Sequence, residues 1–420
     1  MTAARDLIKY NPGKPAVVLF ATVSFAGFLI ISLFKSGAYA MDETLFHYPN
    51  VLNYYTNGFA ATFNKSYSAA NTPLPYIIVA WISKVFGPGI VLARIVTAVF
   101  SFLTFLAGLK ILTRLQVPPF YSLILLFYPY FFLNSFVFYA INFGLFFCLV
   151  ALLLLQHPGK NYRFDLGAGI SITLAVLCQQ FYLMLLAAVL LVRLWQYFQE
   201  RDNPGALQYF LISSFLLGLP ALIPLAIFYR WGGLVHPNFN VHKLSFFATA
   251  LTGMLIVIGF YFWPFVLQSV KKLPLWLVGA ALAAGAVLSI VFKPAYNDFN
   301  GPGIFNGIVY HLINIVARKM VWAGSAIMIL FSAIGLLLFY KLAVMKKTDF
   351  NRMLFTACLF LTAAYTMNAI IGERHLLPLL FLLFLLVLPQ LRMNIAKLYL
   401  PCMVIFGAGY YIYWIFLKYN

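Results

Sequence analysis

The stretch that decides the fold is PAVVLFATVSFAGFLIISLF, residues 15–34, an apolar run of 20 residues without a single charge. About 20 such residues cross the hydrocarbon core of a bilayer as one helix. A strand of a membrane barrel would be shorter and would alternate polar with apolar residues. Because similar runs recur along the chain, the sequence predicts an all-α protein, a polytopic transmembrane helical bundle.

The composition leads to the same class of protein. The 420 residues are 64% hydrophobic and 9% charged, whereas a soluble domain carries about 25% charged residues. The net charge of +19, from 28 Lys and Arg against 9 Asp and Glu, would suggest nucleic acid in a soluble protein. In a membrane protein, basic residues flank helices and set their orientation. We therefore expect membrane lipid, and no nucleic acid, around this chain.

The apolar runs predict about 13 helices in a single transmembrane domain, residues 1–420. A shorter segment, 73–86, ends at Gly87-Pro88-Gly89 and is expected to lie along the membrane interface. The predicted helices cover residues 15–34, 90–113, 118–134, 136–155, 166–181, 182–199, 207–228, 245–268, 274–292, 321–340, 353–371, 376–390 and 398–417.

The distribution of Lys and Arg predicts the orientation of these helices. Most basic residues lie on the short connections of one side, so residues 1–14 are expected in the cytoplasm. Residues 35–89 then form the first outer loop, followed by outer loops at 229–244, 293–320 and 372–375. We expect a bacterial inner membrane with the site on its periplasmic face, or alternatively the ER membrane with a lumenal site. Four acids fall on the outer side: Asp42, Glu43, Asp298 and Glu373.

Asp42 and Glu43 follow the first helix by fewer than ten residues. They precede an aromatic, amphipathic stretch at residues 45–55 that is typical of a helix lying on the membrane. One interpretation is a hydrated pair of loop acids. The other is a general base, because a carboxylate at this depth can accept a proton from a hydroxyl that arrives from water. The sequence alone leaves both interpretations open.

Five short motifs follow one another in order: Asp42-Glu43, Phe46-His47-Tyr48-Pro49, Asn71-Thr72-Pro73-Leu74-Pro75-Tyr76, Phe86-Gly87 and Leu92-Ala93-Arg94. In this order they resemble the start of the GT-C glycosyltransferases. That superfamily includes protein O-mannosyltransferases, lipid A aminoarabinose transferases and the ER mannosyl- and glucosyltransferases of lipid-linked oligosaccharide assembly. The most similar pattern is that of the ER α-1,2-glucosyltransferase family. The resemblance covers residues 35–115.

The resemblance implies a GT-C-like bundle with interfacial helices in the first outer loop. It also implies that a first-loop acid, Asp42 or Glu43, is the catalytic base. The implied donor is a polyprenyl-phosphate sugar, undecaprenyl or dolichyl, and the acceptor is a hydroxyl of a glycan, lipid or protein. His47, Tyr48 and Arg94 are the implied substrate-binding residues of this region. Attack opposite the phosphate would invert the anomeric centre.

Glu373, Arg374 and His375 come at the outer end of one predicted helix, directly before the next. They fit an interfacial anchor with a local ion pair. They also fit a clamp for the donor phosphate, because arginine offers planar, bidentate donors, with Glu373 contributing to substrate binding by holding the arginine. Arg318 and Lys319 are either anchors that reach the interface or a second phosphate contact.

Other chemistries and functions fit the sequence less well. His236 and His242 are six residues apart, too far for a typical zinc site, and we expect neither a metal nor a cofactor. A transporter or flippase of lipid-linked glycans would place charges or broken helices near the bilayer midplane. An O-antigen-ligase-like enzyme would carry its long outer loop late in the chain. Both remain alternatives to a glycosyltransferase.

Overall fold

A computed structural model describes residues 13–34, 43–67, 69–157, 159–239, 247–293, 304–345, 348–367 and 370–413. Asp42, His242 and Asp298 lie outside these ranges. The prediction of an all-α transmembrane bundle is confirmed. In chain order the α-helices are α1 Gly13–Phe34, α2 Tyr48–Asn57, α3 Leu74–Phe86, α4 Ile90–Arg114, α5 Ser122–Leu126, α6 Pro129–Asn134, α7 Ile141–Leu155, α8 Tyr162–Val176, α9 Leu183–Glu200, α10 Ala206–Gly218, α11 Leu222–Trp231, α12 Ala248–Leu267, α13 Leu275–Val291, α14 Ile308–Lys319, α15 Val321–Val344, α16 Asp349–Thr366, α17 Leu377–Val387 and α18 Met393–Ile412.

Within the described residues, fewer helices have the length and apolarity of a membrane span than the sequence predicts. In the described ranges, eight helical segments are long and apolar enough to cross a membrane, and three further apolar helices (α3, α7 and α13) are shorter. The expected count of about 13 spans is therefore not confirmed. The eight are Gly13–Leu33, Ile90–Arg114, Gln180–Glu200, Ala206–Trp231, Ala248–Leu267, Val321–Val344, Glu373–Gln390 and Met393–Ile412.

One predicted helix, 118–134, is wrong as a single element. The chain forms two short helices, α5 and α6, separated at Tyr128, whose backbone is extended (φ −59°, ψ 121°). The cause is Pro129, because the residue before a proline is disfavoured in helical conformation. The helix predicted from residue 136 begins only at Ile141. Residues 135–140 between them are buried and not α-helical, which is tolerated at membrane depth only where protein satisfies the backbone.

Residues 43–74, which belong to the predicted first outer loop, fold back onto the helices. A short π-helix, Glu43–His47, leads into α2, and α3 follows after a 3₁₀ helix, Gly58–Phe63, and a coil segment. The hydroxyl of Thr72 donates to the carbonyl of Val176 at 2.6 Å. The amide of Leu74 donates to the carbonyl of Leu177 at 2.8 Å. These bonds satisfy carbonyls that the end of α8 leaves without helical partners, and they fix residues 72–74 against the bundle.

The centre of the bundle is close-packed. Every residue of α17 is buried, as expected for a helix that is apolar on all sides. Glycines bring α12 and α15 into backbone contact, with Gly259 against Phe331 and Gly335 against Leu255. Helices in lipid associate through such small residues, because they let two backbones approach closely.

A two-stranded parallel pair joins two of the later loops. Strand β1, Ile304–Asn306, pairs with β2, Ile370–Gly372, so that Asn306 lies opposite Gly372. Helix α14 begins directly after β1, and the Glu373–Leu376 turn directly after β2. The pair therefore places the start of α14 beside Glu373.

Candidate functional site

Glu43 and Arg94 form a fully buried ion pair. Arg94 Nη2 donates to Glu43 Oε2 at 2.6 Å and Nε donates to Oε1 at 3.0 Å, and both side chains are 0% exposed. The amide of Phe138 also donates to Oε1, at 2.8 Å. Removing one partner of such a pair typically costs about 3–5 kcal/mol, because the other charge is left buried alone. The pair therefore ties the first outer loop to α4 and to the break at 135–140.

His47, one helical turn after Glu43, is buried against three aromatic rings. Its Nδ1 shares a hydrogen bond of 2.8 Å with the hydroxyl of Tyr76. Its ring meets the ring of Tyr139 edge to face, with centroids 4.6 Å apart. Tyr48, the next residue, is partly buried, and burial raises the pKa of its phenol. Two of the residues that the resemblance singled out are thus neighbours of the Glu43–Arg94 pair.

Tyr139 connects this region to the end of the chain. Its hydroxyl shares a hydrogen bond of 3.3 Å with Nε2 of His375. The guanidinium of Arg374 lies 5.3 Å from the centre of the Tyr139 ring, within the range of a cation–π contact. We call the group formed by His47, Tyr76, Tyr139, Arg374 and His375 the Tyr139 cluster. It unites motifs that are more than 300 residues apart in the sequence.

Tyr76, Phe138 and Tyr139 were not among the predicted site residues, although Tyr76 belongs to one of the quoted motifs. The sequence signal for the other two was Asn134-Ser135, a polar pair inside a long apolar and aromatic run. That pair marks where helix α6 ends and the buried, non-helical segment begins.

Glu373 is buried and directed at the first turn of α14. Its Oε1 accepts from the amides of Val309 (2.7 Å) and Tyr310 (3.3 Å). Amides in the first turn of a helix have no acceptor within their own helix, so a side-chain oxygen can accept from them. Its Oε2 has no hydrogen-bond partner among the described residues. Gly307 lies against the Glu373 side chain, so a Cβ at this position would displace the Glu373 carboxyl group.

Arg318 and Lys319 lie away from the Tyr139 cluster. They occupy the last turn of α14 and are exposed. Glu373 contacts the first turn of this 12-residue helix, which is roughly 18 Å long at 1.5 Å per residue. The structure therefore does not bring Arg318 and Lys319 to Glu373, and their contact with a donor phosphate stays a prediction.

Residues 231–238 pack over residues 62–67. Trp231 Nε1 donates to the carbonyl of Thr62 at 3.0 Å, and the Asn238 side chain donates to the carbonyl of Lys65. His236 is buried beside Tyr67, with ring centroids 5.2 Å apart. Burial lowers the pKa of His236 below its usual value. The loop thus closes the aromatic region around Tyr67 from above.

The charged side chains at the site can bind anions and hydroxyl groups. In the part of the chain that the structure describes, no group of three or more His, Cys, Asp or Glu side chains is arranged to hold a metal ion. The cations here are arginines: Arg374 belongs to the Tyr139 cluster and is partly buried, and Arg94 is paired with Glu43.

No family model and no curated protein matches the chain. Among solved structures, the chain is similar to the crystal structure of ArnT from Cupriavidus metallidurans bound to undecaprenyl phosphate, at 14% identity and a TM-score of 0.43. That match covers 95% of this chain and 76% of ArnT. The apo form of the same protein matches at 14% identity and a TM-score of 0.40, covering 95% of this chain and 78% of ArnT.

Proposed function

We propose that this chain is a membrane glycosyltransferase that moves a sugar from a polyprenyl-phosphate donor to a hydroxyl acceptor, with inversion. The observation that carries the proposal is the Tyr139 cluster beside the Glu43–Arg94 pair. It gathers the first-loop motif and the Arg374-His375 motif, which the sequence assigned separately to the acceptor and donor sides of one reaction.

The acceptor hydroxyl is activated by a first-loop carboxylate, for which we favour Asp42. The hydroxyl oxygen forms a bond to the anomeric carbon as its proton passes to the carboxylate. The bond from the anomeric carbon to the phosphate oxygen breaks, and its electron pair leaves with the phosphate. Glu43 is already engaged by Arg94 and the Phe138 amide, so its role in this scheme is to hold the loop in which Asp42 lies.

Arg374 and His375 stabilise the departing phosphate. Donors fixed in advance toward a developing charge are worth most where water is excluded. The Tyr139 ring packs against Arg374, and its hydroxyl contacts His375. The same tyrosine therefore limits the movement of both phosphate-binding side chains.

The orientation of the site is tested by cysteine labelling. We place the site on the non-cytoplasmic face of a bacterial inner membrane or, as the alternative, in the ER lumen. In a Cys402→Ser background, Ser66→Cys is expected to react with an impermeant maleimide from outside intact cells. Asn203 lies on the exposed connection between α9 and α10. We expect Asn203→Cys to react only after lysis. The reverse pattern would refute the orientation.

The function is tested with purified protein in two steps. The first measures binding of undecaprenyl phosphate against undecaprenol, which lacks the phosphate. The second offers labelled undecaprenyl- and dolichyl-phosphate hexoses and pentoses with a membrane lipid extract as the source of acceptors. We expect preferential binding of the phosphate and transfer from at least one donor. Equal binding of the two lipids, together with no transfer from any donor, would refute the proposal.

A further inference from the structure

The first turn of α14 receives its hydrogen-bond acceptors from two distant parts of the chain. Its N-cap residue, Gly307, has no side chain to accept with, and the first amides of a helix have no acceptor within the helix. The amide of Ile308 donates to the hydroxyl of Tyr130 at 2.8 Å, and the next two amides donate to Oε1 of Glu373 at 2.7 and 3.3 Å. Because Tyr130 lies on α6 and Glu373 lies on the turn after β2, the start of α14 links these two elements.

These bonds complete a ring of contacts that contains both proposed phosphate-binding residues. From Glu373 the chain continues directly to Arg374 and His375, and Nε2 of His375 contacts the hydroxyl of Tyr139 at 3.3 Å. From Tyr139 the chain runs back through the irregular segment and α6 to Tyr130, whose hydroxyl contacts the start of α14. In such a ring each contact limits the movement of the other members, so the loss of one contact loosens the whole ring.

Glu373 makes its contribution to this ring through one oxygen. Oε1 accepts from both amides, whereas Oε2 has no hydrogen-bond partner among the described residues. The side chain is fully buried, and Gly307 packs against it so closely that a Cβ would displace the carboxyl group. The β1–β2 pair ends at Gly372. The contact between Glu373 and α14 is therefore the next contact along the chain before Arg374.

From these contacts we infer that Glu373 is a positioning residue for the donor phosphate. It accepts from the first turn of α14 and so fixes the turn that carries Arg374 and His375, without contacting the substrate itself. The inference rests on the proposed function, in which these two side chains bind the departing phosphate. Donors that are fixed in advance stabilise a developing charge best, and side chains that bind a ligand need neighbours that hold them in place.

The test measures binding of undecaprenyl phosphate and of undecaprenol to the purified full chain, because the ratio of the two affinities reports the phosphate contact alone. Glu373→Ala removes the acceptor, and we expect the ratio to fall roughly tenfold, as for the loss of hydrogen bonds from buried amides. Glu373→Gln keeps one oxygen for the two amides and is expected to restore most of the ratio. If Glu373→Gln loses as much as Glu373→Ala, the charge of Glu373 acts directly and the inference is wrong.

Gly307→Ala gives a second measurement, because it displaces the Glu373 carboxyl group without removing it. We expect this variant to lower the ratio about as much as Glu373→Ala does. In the Glu373→Ala background the added Cβ has no carboxyl group to displace, so we expect no further decrease in the double variant. Two substitutions that act through one contact are not additive. An equal decrease from Gly307→Ala in both backgrounds would indicate general damage to the loop and would overturn the inference.

Asn161→Ala is the matched control, because Asn161 also accepts from an amide in the first turn of a helix, at the start of α8 (3.0 Å). The last turn of α8 contacts Thr72, four residues before Tyr76 of the Tyr139 cluster. The 15 residues of α8 place its first turn, which also holds Asp165, roughly 22 Å from that contact. We expect Asn161→Ala to keep the ratio of the parent.

The parent protein separates this inference from the proposed function. A parent that binds undecaprenyl phosphate and undecaprenol equally would refute the proposed function and the inference together. A parent that prefers the phosphate, with the same preference in Glu373→Ala, would refute the inference alone. A decrease in Asn161→Ala equal to that in Glu373→Ala would show that any lost helix cap has this effect, which would also refute it.

Discussion

Two acid–arginine pairs lie at opposite ends of the bundle, and the shortest contact has the same length in both. Arg94 Nη2 lies 2.6 Å from a Glu43 oxygen, and Arg193 Nη2 lies 2.6 Å from an Asp165 oxygen. Their surroundings differ. The first pair is 0% exposed on both sides, whereas the Arg193 side chain is 18% exposed and lines an open cleft.

The difference shows that a buried ion pair does not by itself identify a reactive site. Asp165 joins neighbouring helices, because its second oxygen accepts from the hydroxyl of Tyr209 on α10 at 3.1 Å. Glu43 joins three segments distant in sequence, and the Tyr139 cluster lies next to it. What separates the two ends is the set of polar and aromatic groups gathered beside each pair.

The largest expected effect tests whether Asp42, the residue before Glu43, is the general base. Asp42→Asn keeps the size of the side chain but cannot accept the proton of the acceptor. We expect transfer to fall about 10²–10⁴-fold, the usual cost of losing a general base, while the protein folds and binds the lipid donor. The measurements are transfer of labelled sugar and, separately, binding of undecaprenyl phosphate.

Glu43→Gln is the control for that variant and is expected to have a milder effect on transfer per folded molecule. Full activity in both single variants and in the double variant would refute the base assignment. Loss of donor binding together with activity in Asp42→Asn would instead indicate a structural role for the acid pair.

The next prediction compares how much each of the two ion pairs contributes to the free energy of unfolding. Arg94→Ala leaves Glu43 buried without its cation, and we expect a loss of about 3–5 kcal/mol in the free energy of unfolding. Arg193→Ala should cost less, because water reaches the space beside Asp165 and can solvate it. Thermal unfolding in the same detergent measures both variants. A larger loss from Arg193→Ala would mean that the open cleft, and not the Tyr139 end, holds the bundle together.

A third prediction tests whether Arg374 contacts the phosphate of the donor. Arg374→Ala is expected to lower transfer at least tenfold, because a hydrogen bond to a charged group contributes about 1.5–3 kcal/mol. Arg392→Ala removes an exposed arginine and serves as the control. If the two variants have the same activity, Arg374 does not belong to the site.

A smaller effect is expected at Tyr139, which contacts His47 as well as Arg374 and His375. Tyr139→Phe keeps the ring against His47 and Arg374 but removes the hydroxyl that contacts His375. A net hydrogen bond of about 0.5–1.5 kcal/mol corresponds to roughly a twofold to tenfold change, which we expect in KM for the donor more than in kcat. Tyr121→Phe, which also removes a buried tyrosine hydroxyl but at a distant position, should leave KM unchanged. An equal change in both variants would indicate a general packing effect.

The smallest expected effect is a loss of stability at acidic pH that is caused by protonation of His236. Burial lowers the pKa of His236, so between this value and the unfolded value near 6.5 the unfolded chain binds more protons. Stability from this residue is therefore complete above about pH 6.5 and falls as the pH decreases through that window. His236→Gln should reduce the difference in unfolding temperature between pH 7.5 and pH 5.5. The same difference in the variant and the parent would exclude His236 as its cause.

The sequence predicts the helices well where an apolar run is continuous. Helices α1, α4, α12 and α15 begin within about three residues of their predicted starts, because lipid imposes both length and composition on a spanning helix. The prediction of helices fails between residues 118 and 140, because aromatic residues are common there both in the short helices and in the irregular segment. Apolarity reports burial there, and burial does not distinguish the two conformations.

The site was predictable as a set of residues but not as a set of contacts. The motifs pointed to Glu43, His47, Arg94, Arg374 and His375, and the structure brings these side chains to one end of the bundle. The pairing of Glu43 with Arg94, and the role of Tyr139 between His47 and His375, depend on long-range packing that no local pattern encodes. Asp42 lies outside the described residues, so its role rests on its position in the sequence.

The irregular segment at residues 135–140 also bears on how the chain is made. Two of its backbone polar groups find partners in parts synthesised earlier: the Phe138 amide bonds to Glu43, and the Phe136 carbonyl accepts from the Ser32 hydroxyl at 2.8 Å. A growing chain presents these partners before the segment itself emerges from the ribosome. Helix α1, through Ser32, and Glu43 can thus pair with these two groups when the segment enters the bilayer, so neither group has to remain unpaired in lipid.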